Sequence, residues 1–141
     1  MSEVPFPLEL VVVGTPISAQ ASAKTRSNWQ NTVKSAASRR LHELTDWYSY
    51  DERDVAVTIL YFLSAKMQGD IDNLVKPILD ALVQTVYPDD RCVERLLIQK
   101  FEPGISQQFS NVTEQLARSL EMEPPVVYIR IDDHLLWRDF A

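Results

Sequence analysis

Residues 70 to 90 read DIDNLVKPILDALVQTVYPDD, a stretch that holds Asp70, Asp72, Asp80, Asp89 and Asp90 against the single cation Lys76. Asp72, Lys76 and Asp80 are four residues apart, so on a helix of 3.6 residues per turn they form one stripe with Asp70 at its head. The turn Tyr87-Pro88-Asp89-Asp90 can fold back toward that helix and add one or two more carboxylates. Like charges a few ångströms apart raise each other's pKa, and a divalent cation relieves the conflict. The chain has one cysteine, and His42 and His134 stand alone in the sequence, so zinc or a softer metal has little support. Magnesium binds carboxylates and waters and usually shares its shell with a substrate phosphate. That combination points to phosphoryl transfer, in which one or two ions clamp the attacked phosphate and a lysine neutralises transition-state charge.

Each piece also has an ordinary explanation. Asp and Asn are favoured helix caps and suit the positive end of the helix dipole. Lys76 could be a simple i,i+4 partner of Asp72 and Asp80, and Asp89-Asp90 after a proline could be only a turn. It is their conjunction, on converging elements with an apolar face behind them, that indicates a site.

The elements that position these residues follow from hydrophobic period and punctuation. Leu8 to Val13 is a β-branched run ending at Gly14 and predicts a buried strand. Thr15 to Ala23 is a small, polar loop. Thr25 to Leu44 lacks Gly and Pro and predicts a basic amphipathic helix, with Trp29, Val33, Ala36, Ala37, Arg40 and Leu41 near helical spacing. Asp54 to Ser64 predicts a long central strand, and Ala65 to Gly69 is the loop that delivers the chain to the acidic cluster. Val75, Ile78, Leu79, Leu82 and Val86 supply the buried face of the next helix. Pro77 cannot bond the carbonyl of Asn73 and crowds it, so the helix starts after Asp72 or bends in its first turn, and that carbonyl needs another donor or a cation. Cys92 to Phe101 predicts a third strand, Asn111 to Leu120 a helix, Glu121 to Pro125 a connector and Val126 to Ile131 a closing strand. The alternation predicts a single-domain α/β sandwich over residues 1–141, with a mixed sheet of about four strands and two to three helices.

With 141 residues, 45% of them hydrophobic and 24% charged, the chain has the composition of a soluble globular domain. No apolar run approaches a membrane span, and MSEVPFPLEL lacks the basic start of a secretory signal. Cys92, in an apolar pattern, reads as a small core residue, and a single cysteine is compatible with a reducing cytoplasm. The net charge of −6 argues against a nucleic-acid partner, but its distribution does not. Lys24, Arg26, Lys34, Arg39 and Arg40 fall in a segment without an acid. From Asp70 onward there are seven Lys or Arg against thirteen Asp or Glu, so the negative excess lies in the half that holds the proposed ion site.

The string Asp70-x-Asp72-Asn73-x-x-Lys76-x-x-x-Asp80-Ala81-Leu82, followed by Asp89-Asp90 and a strand ending in Lys100, resembles the RusA-type Holliday junction resolvases. Outside residues 70 to 100 the resemblance is in element order, with Gly14 to Lys24 similar to that family's loop after its first strand. It implies a homodimeric, Mg2+-dependent endodeoxyribonuclease, with Mn2+ as a substitute, that nicks four-way DNA junctions symmetrically and leaves 5′-phosphate and 3′-hydroxyl ends. Asp70, Asp72 and Asp90 would be the metal-binding carboxylates and Lys76 the catalytic lysine. Asn73, Asp80 and Asp89 would support them, Asp80 by orienting Lys76 and Asn73 by bracing the helix start. Lys24, Arg26, Lys34, Arg39, Arg40 and Lys100 are the candidates for DNA contact, and Trp29 among them reads as core. Resolvases of this type are usually basic, whereas this chain is acidic. A nuclease for other branched or single-stranded nucleic acid, and a non-catalytic binding or assembly module, are therefore the competing readings. The tail from His134 to Ala141, with its aromatic and leucine residues, reads as packed on its own domain or a dimer mate, or as a protein-docking segment.

Overall fold

The computed structural model describes residues 2–50 and 52–135, so residues 136–141 of the tail lie outside the described residues. Four strands form one mixed sheet: β2 (Leu8–Val13), β4 (Val55–Phe62), β5 (Val93–Phe101) and β6 (Val126–Asp132), in the spatial order β2-β6-β4-β5. β6 runs antiparallel to both neighbours, and β4 and β5 are parallel. Parallel neighbours need a crossover, since a tight turn can join only antiparallel ones. Here the crossover carries the acidic segment. A second sheet pairs β1 (Ser2–Glu3) with β3 (Tyr48–Ser49); at two residues each, these strands are too short to show a hydrophobic period.

Strand alternation divides the sheet into two faces. Leu8, Leu10, Val12, Val57, Ile59, Tyr61, Val127, Ile129 and Ile131 face helices α1 (Ala23–Leu44) and α2 (Val75–Leu82) and form the core with them. α1 contributes Trp29, Val33, Ala37 and Leu41, and α2 contributes Ile78, Ala81 and Leu82. α3 (Glu114–Glu121) packs on the other face, against β2 and β6. There Glu9 accepts hydrogen bonds from the hydroxyls of Tyr128 and Thr113. The expected alternation and the mixed four-stranded sheet with three helices are thus present.

The boundaries differ where side-chain chemistry, unseen by periodicity, sets them. α1 begins two residues early because Ser22 caps it, its hydroxyl accepting from the Thr25 amide at 3.2 Å. α3 begins three residues late because Asn111 has a positive φ and Thr113 is the cap. α2 ends at Leu82 rather than running to Val86; Gln84 has a φ of 61° and turns the chain, although Val86 stays buried. Cys92 is buried as expected but lies in a 3-10 turn (Asp90–Cys92) before β5, not in the strand.

Candidate active site

The acidic segment occupies the crossover between β4 and β5. It opens with a 3-10 turn (Ile71–Leu74), and α2 proper starts at Val75. Pro77 therefore sits in the first turn, where a missing amide is tolerated. The Asn73 carbonyl that it leaves unbonded accepts from the Ala19 amide at 2.8 Å. A backbone donor from the loop after β2 thus fills the role for which a cation was one option, and it ties that loop to the site.

Lys76 and Asp80 are one helical turn apart, and Lys76 Nζ lies 2.8 Å from Asp80 Oδ1. The turn after α2 brings Asp90 to the same ammonium, with Oδ2 at 2.7 Å. Asp89, next to it, caps the 3-10 turn by accepting from the Arg91 amide at 2.9 Å. That hydrogen bond holds its carboxyl below the usual range. The hydrogen bonds that Lys76 donates to Asp80 and then to Asp90 raise its pKa above the ordinary 10.5. Both carboxylates thus favour the charged form of Lys76.

Asp90 has a second feature. Its Oδ1 is buried and has no hydrogen-bond partner among the described residues. A buried acceptor without a donor is unfavourable by about 1–3 kcal/mol. One oxygen of Asp90 is thus committed to Lys76 while the other lacks a donor among the described residues. Asp70 and Asp72 are exposed and take part in no ion pair among the described residues. No three His, Cys, Asp or Glu side chains among the described residues stand close enough to form a ready cage for an ion. The donor set still fits a hard divalent ion, because every candidate is a carboxylate oxygen and one of them is an orphaned acceptor. Tyr87, which the sequence reading did not single out, is fully buried near this cluster. Burial, and then the charges of Asp90 and Asp80, push its phenol up and keep it neutral.

The candidate DNA contacts divide by what already holds them. Lys24, Lys34 and Arg39 are exposed along α1. Arg26 instead braces the loop before α1, its Nη1 donating to the carbonyls of Ala19 at 3.2 Å and Ala21 at 2.7 Å. Arg40 donates to the Glu9 carbonyl at 2.9 Å, on edge strand β2, and pairs with Glu43. Lys100 pairs with Glu102 at 2.6 Å. The sequence showed the charges of these residues but not their internal partners.

Beside Asp70 a cleft of about 370 Å³ opens between the loop after β2 and the loop that follows β4. Thr15, Tyr61, Ser64, Met67, Gln68 and Asn73 are among its lining residues. Of these, sequence reasoning singled out only Asn73; the signal available for Thr15, Ser64, Met67 and Gln68 was their place in or beside the polar loops after β2 and β4, and Tyr61 lies in β4 itself.

Comparison with known proteins gives a match to the family model described as Endodeoxyribonuclease RusA over residues 14–108. That range is more than half of the chain and includes the acidic crossover, α1 and the cleft loops. No curated protein matches the chain.

Proposed function

The chain belongs to the RusA endodeoxyribonuclease family, and from that premise we propose that it is a Mg2+-dependent endonuclease that resolves four-way DNA junctions by paired symmetric nicks. The observation that carries this reading is the state of Asp90: one oxygen on Lys76, the other buried without a hydrogen-bond partner among the described residues. Asp70, Asp72 and Asp90 would hold the ion, with Mn2+ able to replace Mg2+. Bound there, the ion supplies a more acidic attacking water and offsets charge on the attacked phosphate. Lys76, kept protonated by Asp80 and Asp90, adds positive charge where the phosphorane charge develops. Asp80 fixes the lysine from one helical turn away. Asp89 holds the turn that presents Asp90, and Asn73 ties the start of the crossover to the loop after β2.

Lys24, Lys34 and Arg39, exposed and without an ion pair among the described residues, are candidates for phosphate contact, while Arg26, Arg40 and Lys100 would reach DNA only from within their internal pairs. Two nicks on opposed strands call for two active sites, which supports a homodimer. The single cysteine supports a reducing cytoplasm as its setting. No helix among the described residues is long and apolar enough to cross a membrane. The net charge of −6 favours, as second reading, a related nuclease for other branched or single-stranded nucleic acid. Incubating end-labelled four-way junctions, linear duplex and single strands with Mg2+ separates the readings. We expect paired nicks on the junction alone. Cleavage of the other substrates in its place would shift the assignment to the second reading, and the absence of both cutting and metal binding would overturn both.

A further inference from the structure

We propose that the cleft beside Asp70 is a nucleobase pocket, which takes one unstacked base of the strand being cut. The proposal rests on the nuclease reading above and adds to it a site that the carboxylates and Lys76 do not supply. At about 370 Å³ the cleft lies in the range of small-ligand sites, about 300–1,000 Å³. Its position is set by Asp70, which lines it and is also a candidate ligand of the ion at the scissile phosphate. An occupant is therefore a neighbour of that phosphate.

The lining identifies the class of occupant. Of its fourteen residues only Lys66 and Asp70 are charged, whereas a pocket built for phosphate is rich in Arg and Lys. Tyr61 and Met67 supply apolar surface, and Tyr61 is itself held in the core. Ser64, Gln68 and Asn73 present side chains that make no hydrogen bond with any described residue. Each amide offers a donor and an acceptor side by side, which is what the edge of a base requires. Apolar walls with unspent amides match a base better than a sugar or a phosphate. Extruding a base from a duplex costs a few kcal/mol of unstacking and unpairing, which contacts in the cleft would offset.

The test replaces each base around the crossover in turn with 2-aminopurine, which brightens when unstacked, and titrates the full chain onto the junction with Ca2+ in place of Mg2+ to prevent cutting. Anisotropy of a distant label reports binding in the same titration. The wild type should brighten one position several-fold. Ala65→Trp, which fills the cleft from its exposed loop, should abolish the signal while the junction still binds, and Gln68→Leu should weaken it. Failure of every position to brighten, or a signal that persists in both variants, overturns the proposal. Failure of the nuclease reading shows elsewhere, as wild-type protein with Mg2+ that cuts no junction, whatever the fluorescence.

Discussion

At Lys76 one ammonium is held within 2.8 Å of two carboxylates brought together from a helix and the turn beyond it. The i,i+4 half of that arrangement was legible, because Asp80 lies one turn from Lys76 on any helix. The Asp90 half was legible only as a turn able to fold back. The carbonyls that Arg26 and Arg40 bond were not legible: those of Ala19 and Ala21 depend on the path of the loop before α1, and that of Glu9 is brought to Arg40 by tertiary structure. Lys76 is 62% exposed, so its pairs contribute little to stability. The sign of that contribution is fixed: a pKa raised in the fold gives stabilisation present below 10.5 and lost as pH rises through the folded value. Tyr87 and Tyr128 act in the same direction. Burial raises both, Tyr128 to about 12 with help from its hydrogen bond to Glu9. Their unfolded forms ionise near pH 10 while the folded forms stay neutral. Urea denaturation from pH 7 to 11 should therefore show stability falling above pH 10, and Tyr87→Phe should make the fall shallower. An identical slope in the variant would remove Tyr87 from this account.

Among the elements, the loop after β2 links packing to the site. Gly14 starts it with a φ of 144°, and a Cβ there would come within 3.2 Å of the buried Trp29 ring. A side chain at this position meets both backbone strain and a wall of core. Gly14→Ala should thus destabilise the fold by about 1–3 kcal/mol, read as a lower urea midpoint, and also lower cleavage, because the same loop donates the Ala19 amide to Asn73. A midpoint equal to wild type would mean that the loop adjusts freely. Strands β2 and β4 and helix α1 could be read from residues because each buries a face with a regular period, whereas β5 leaves most of its residues exposed and α3 buries Gln115 and Ser119, so those two rest on composition and punctuation. β1 and β3 could not, and neither could the sheet order, since Leu8–Val13 and Val126–Asp132 are far apart in sequence and nothing local declares them neighbours. The end of α2 at Leu82 was missed because Val86 keeps the apolar spacing after Gln84 has turned the chain.

Over the whole molecule the charge is divided, with basic residues along α1 and acids at the crossover and beyond. The acidic half that argues against DNA is the half that would bind the ion, which resolves much of the apparent conflict. If Arg39 touches a phosphate, Arg39→Ala should weaken junction binding and lower the slope of log affinity against log salt by about 1; an unchanged slope would place it outside the interface. Sedimentation of the free protein should give a dimer, and a monomer with full junction cleavage would contradict paired nicking by two fixed sites. The most direct measurement is single-turnover cleavage of a labelled four-way junction across a Mg2+ titration, comparing wild type with Asp70→Asn and Asp90→Asn, each shown by circular dichroism to be folded. We expect Mg2+-dependent paired nicks by the wild type and a loss of more than about a hundredfold in both variants. Cleavage by either variant at the wild-type rate, or wild-type cutting that persists in EDTA, would contradict the proposed function.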